Sequence, residues 1–159
     1  PYPPDLIGAT TNLNYDNSKD LLSGLKKKNF KTSLWIDDIF EKKNVDLTII
    51  KLPVKLYRIS LKDLNFNKPT ELEKVYEKAK KFNLKPVDPV LALVCRELYL
   101  DQPKGEWLRF ATPFNSMIDS DGVPHIPKLG KALNLFFIET YWSYPQAIFH
   151  PHNEFIFCK

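Results

Sequence analysis

The chain has 159 residues, 43% of them hydrophobic, 26% charged and 13% aromatic, with a formal net charge of +4. That length and apolar content suit one folded domain and exclude a largely disordered chain, because there is enough apolar surface to offset the entropy of ordering. No apolar run approaches the roughly 18–20 residues needed to cross a bilayer. Pro1-Tyr2-Pro3-Pro4 also lacks the basic start and apolar stretch of a secretory signal, so the expectation is a cytoplasmic protein without a membrane span.

Residues 1–16 read as an extended arm, because three of the first four residues are prolines and the rest show no period. Residues 17–159 read as a single domain. Ser18 is placed to cap a first helix, with Asp20 in its first turn, an apolar stripe of Leu21, Leu22 and Leu25, and Lys26-Lys27-Lys28 at its end. A second helix begins at Thr32 or Ser33 and buries Leu34, Trp35, Ile36, Ile39 and Phe40. From Val45 to Leu61 the apolar residues alternate, which is strand behaviour, and Pro53 breaks or bends it. Thr70-Glu71-Leu72-Glu73 reads as a capping box ahead of a helix whose buried face is Leu72, Val75, Tyr76, Ala79 and Phe82, with Asn83 as a left-handed stop. Asp88-Pro89 opens another helix, apolar almost all round from Val90 to Leu100 and therefore central. Strands follow at Glu106–Ala111, Leu133–Trp142 and Glu154–Cys158, with a turn at Asp119-Ser120-Asp121-Gly122. Helices first and strands later predict an α+β fold, an antiparallel sheet packed against several helices.

Charge and rings divide unevenly. Residues 1–84 hold 16 lysines and arginines against 11 acids, a net +5, while residues 85–159 hold 7 against 8, a net −1. The aromatics run the other way, 9 and then 12. The first half is thus a lysine-coated layer and the second the ring-rich one.

The most distinctive run is Asp101-Gln102-Pro103-Lys104-Gly105-Glu106-Trp107-Leu108. Together with Pro53–Ser60, Ala79–Leu84, Trp142 and His150–Phe157, it resembles an uncharacterised family of small bacterial proteins, over about two-thirds of the chain. The resemblance implies a compact fold and a bacterial or phage origin, and no activity. Near Pro86-Val87-Asp88-Pro89 such proteins often carry a Cys-Pro pair, which this chain lacks.

In local terms the same run is a helix-to-strand junction, with Pro103 fixing φ and Gly105 permitting a left-handed turn. Its functional reading is a polar recognition surface, which makes Gln102, Lys104, Glu106, Trp107 and Arg109 the binding candidates. His150 and His152, two apart with Glu154 following, form a weak metal half-site disfavoured by Pro151, so no cofactor is expected. Asp119-x-Asp121-Gly122 puts its glycine too early for a calcium loop. Cys95 sits within an apolar helix, where a thiol is inert packing, and Cys95 and Cys158 fit no CxxC pattern. The adjacent pair Asp37-Asp38 points in two directions on a helix. No phosphate loop, dinucleotide fingerprint or nucleophile elbow occurs.

Three functions are thereby left in play. The first is a non-catalytic bacterial interaction module that binds a protein or another macromolecule through the aromatic-rich C-terminal sheet. The second is a hydrolase or nuclease with a polar site near Gln102–Arg109, metal-dependent in one version. The third, weakly supported, is nucleic-acid binding through the N-terminal lysines, against which stand the scarcity of arginine (only Arg58, Arg96 and Arg109) and the interleaved acids.

Overall fold

Among the described residues, four helices and two sheets make up the fold. The computed structural model describes residues 14–50 and 54–159, so the expected arm lies almost wholly outside the described residues, as does Pro53. Helix α1 (Ser18–Lys27) starts one residue earlier than expected. Asn17 is its cap and accepts from Asp20 N at 3.0 Å. Ser18 is instead buried and bonds forward, its hydroxyl accepting from Val45 N at 2.8 Å. A two-residue strand β1 (Lys31–Thr32) leads into α2 (Leu34–Lys42), whose cap is Ser33. Ile36, Ile39 and Phe40 are buried as expected, but Leu34 and Trp35 face solvent, at 84% and 48% exposure.

The alternation from Val45 to Leu61 yields only one strand, β2 (Leu56–Ser60). Leu47–Ile49 is a single turn of 3-10 helix, because the Asp46 carboxylate accepts from Thr48 N at 2.9 Å and closes the turn. The expected capping box also fails. Thr70 and Glu71 form a short strand β3 (Thr70–Glu71), the Thr70 hydroxyl donates back to Lys68 O, and α3 (Leu72–Lys81) begins without a side-chain cap. Leu72, Val75 and Ala79 are buried, Phe82 is exposed, and Asn83 adopts the left-handed conformation, at φ 61°. Helix α4 (Val90–Leu98) is the central helix, buried from Val90 through Arg96, and Asp88 accepts from Val90 N at its start.

Five further strands complete the chain: β4 (Trp107–Phe110), β5 (His125–Ala132), β6 (Leu135–Trp142), β7 (Ile148–Phe149) and β8 (Glu154–Cys158). The main sheet runs in the order β1-β6-β5-β4-β8-β2, and β3 pairs with β7 in a small second sheet. Most pairings are antiparallel; β1 with β6 and β4 with β8 are parallel. The fold is α+β, as the pattern predicts. Among the described residues no helix is long and apolar enough to cross a membrane.

Strand alternation divides the core in two. Leu56, Leu108, Phe110, Leu129, Ile138 and Ile156 point inward and pack on α1, α2 and α4. Tyr57, Ile126, Phe155 and Phe157 point outward beneath α3 and Phe149 of β7. That outer cover reaches only part of the sheet. Trp107 and Phe137, on the outer side of β4 and β6, join neither core.

Candidate functional site

The signature run lies where α4 hands the chain to β4, and the structure spreads its five candidate side chains over three places. Gln102 is buried. It accepts from Arg96 Nη1 at 2.7 Å, and its amide donates to Leu129 O at 3.0 Å and Glu106 O at 3.2 Å. Arg96 on α4 is fully buried as well. It donates further to Gly130 O and Phe137 O, each at 3.1 Å, and to Tyr99 O at 2.7 Å, with its guanidinium 4.8 Å from the centre of the Phe136 ring. Burial pulls its pKa down to about 10, and it remains charged at neutral pH. This cation, held by neutral oxygens, ties α4 to β5, β6 and the turn. Glu106 also faces inward, half-buried, bonded by Arg58 at 2.5 Å and by the Tyr99 hydroxyl at 2.9 Å. Lys104 stays in the exposed turn, where Gly105 takes φ 80° and donates to Lys131 O. Only Trp107 and Arg109 look outward. Gln102 and Glu106 are therefore structural, and the five do not converge.

What converges around Trp107 and Arg109 comes from other strands. The register sets Trp107 beside Gly130 and Phe137, Arg109 beside Lys128 and Glu139, and Ile126 beside Tyr141. Side chains paired across a sheet share a face, so Trp107, Phe137 and Tyr141 surround Arg109 and Lys128. The indole of Trp107 lies over Gly130, where any β-carbon would collide with its ring. Lys128 Nζ is 4.7 Å from the centre of the Trp107 ring and 5.6 Å from that of Tyr141. The Arg109 guanidinium sits 5.4 Å from Tyr141 and 5.8 Å from Phe149. Burial lowers the pKa of both cations; for Lys128, Glu139 offsets part of the effect and Arg109 adds to it. The sequence signal for this face is the strand reading of residues 106–111 and 133–142. Lys128 and Gly130 were missed because β5 was not recognised.

A second polar cluster joins the Asp119 turn to the inner face of the sheet. His125 is buried; its Nε2 donates to Asp119 Oδ2 at 2.8 Å, and its Nδ1 meets Thr140 Oγ1 at 2.9 Å. Asp119 also accepts from the Asp121 and Val123 amides, and the His125 bond leads in holding its carboxyl below the usual range. Trp35 stacks near His125 at 5.8 Å, and Trp35, Thr140, Tyr141 and Trp142 border a shallow cleft of about 310 Å³. The three bonds that Asp119 accepts make the cluster a turn lock.

His150 and His152 lie in the turn between β7 and β8, stacked ring on ring at 5.8 Å, with His150 N donating to Asn153. Among the described residues no three His, Cys, Asp or Glu side chains converge as metal ligands. Burial raises the thiol pKa of both Cys95 and Cys158, and both are free cysteines. No family model, curated protein or solved structure matches the chain.

Proposed function

We propose that this protein is a non-catalytic interaction module whose working surface is the uncovered outer face of β4, β5 and β6. One observation carries the reading. The cover of α3 and the β3–β7 sheet ends at Phe149, whose ring meets Tyr141 at 5.2 Å, and stops short of Trp107 and Phe137, so that all three rings remain partly exposed around Arg109 and Lys128. Rings and arginine concentrated at one patch are the composition of binding hot spots. A partner also explains why two cations are seated on rings there, at a cost in solvation.

The test uses Lys128→Met with Tyr141→Leu, two changes outside both hydrophobic cores. Partners captured by the purified wild-type chain are compared with those captured by the double variant, with thermal unfolding as the control. The expected result is loss of the captured partner and a melting temperature within about 3 °C of wild type, the shift of a surface change worth about 0.5 kcal/mol. Identical captures by the two proteins would remove the reading. Replacing Lys104 and Glu106 would not serve as a test, because Glu106 is bonded to Arg58 and Tyr99.

A further inference from the structure

We infer that the ligand of this face is single-stranded nucleic acid, its phosphates neutralised by Arg109 and Lys128 and its bases packed on Trp107, Phe137 and Tyr141; this rests on the binding-module reading above. Arg109 and Lys128 are direct cross-strand partners in the β4–β5 register. Among the described residues neither closes an ion pair. Glu139 stands opposite Lys128 in the β5–β6 register without reaching salt-bridge distance. Arg109 Nε is buried and has no hydrogen-bond partner. Glu139 thus acts on Lys128 only at a distance, and among the described residues neither cation is closed by an ion pair, a combination that a phosphodiester satisfies.

The rings decide between anions. An acidic peptide would satisfy the cations and leave the aromatic face without a role. Here ring and cation alternate across the strands, from Trp107 through Lys128, Tyr141 and Arg109 to Phe149. Single-strand binders combine positive charge along the backbone with rings that receive bases of any sequence. Rings stack on bases that are free of a duplex, so the unpaired strand is the form that fits. The lysine-rich half of the chain adds a positive field that speeds encounter, in keeping with a pI near 9.0.

The measurement is fluorescence anisotropy of labelled oligothymidylate and oligouridylate, each of about 12 nucleotides, with the purified chain at several salt concentrations. The expected result is binding that weakens as salt rises. Lys128→Met should make the dependence on log salt shallower by about 0.7, one phosphate contact on a single strand. Tyr141→Leu should weaken binding roughly 5- to 100-fold at every salt concentration. Duplex of the same length should bind at least several-fold more weakly. No binding of either oligonucleotide overturns the inference, as does equal binding by both variants and wild type. A labelled oligoglutamate that binds as tightly as the oligonucleotides also overturns it while leaving the module reading in place. That reading falls separately, by identical captures in the comparison of wild type with the double variant.

Discussion

Arg96 shows how far a single residue departs from what its type suggests. An arginine at the seventh position of an apolar helix reads as a solvated interruption, yet it is buried and bonded to four oxygens, none of them a carboxylate. Three of those oxygens are backbone carbonyls and the fourth is the Gln102 amide, so the signature run is tied to the helix that precedes it. Truncating Arg96 to Met would leave all four oxygens buried without their donor. Equilibrium denaturation should show a loss of about 3–5 kcal/mol, the range for removing one partner from a buried charged network. In the cycle Arg96→Met, Gln102→Leu and the double variant, the two changes should couple by more than about 0.5 kcal/mol, and simple additivity would show that the two side chains act independently. None of this was legible in the sequence. From the sequence Gln102 reads as a surface group, because strand periodicity locates the faces of a strand and says nothing about a residue in the turn before it, where the structure buries it.

At the scale of elements, the turn from Asp119 to Gly122 was legible and its ties to the fold were not. Asp-Ser-Asp-Gly signals a turn through local chemistry, and Gly122 takes φ 82°. The bond to His125 and the contact to Thr140 join residues 6 and 21 positions apart from Asp119 and appear only when β5 and β6 form. Strand β5 itself escaped notice. Pro127 and Gly130 read as breakers, and the two-residue turn to β6 carries Leu133 at φ 55° where glycine or asparagine is the usual signal. Pro127 is tolerated because the β4–β5 ladder ends at Arg109 and Lys128, just before it. The Asp119 bonds give stability a pH dependence. Its folded carboxyl lies below the ordinary value of 3.8. Its contribution is therefore complete above that value and disappears as pH falls through the lowered one. Asp119→Asn should be less stable than wild type at neutral pH, and the gap should narrow as pH falls below 3.8. Urea titrations at stepped pH check this, and a gap that stays constant would place the loss elsewhere.

The whole molecule was legible as a class: helices, an antiparallel-dominated sheet and a central α4. Strand order was not, because alternation fixes which residues share a face and leaves open which strands are neighbours. The order β1-β6-β5-β4-β8-β2 places the two earliest strands at opposite edges and makes β8, the last, the link between β4 and β2. Phe155 and Phe157 carry that link into the outer core, and Ile156 into the inner one. Removing residues 154–159 should abolish cooperative thermal unfolding, although the deletion is short. A sigmoidal melt retained by the shortened chain would show that β4, β5 and β6 hold together without it.

The same strand order has a consequence in time. A ribosome releases α1, β1, α2 and β2 long before their sheet partners exist, since β1 waits for Phe137 and Ile138 and β2 for Glu154 to Cys158. The early helices therefore carry their apolar stripes without the sheet until those downstream strands are made, amid the lysines that crowd the first half of the chain. That coat favours solubility of the nascent segment while it waits for those partners.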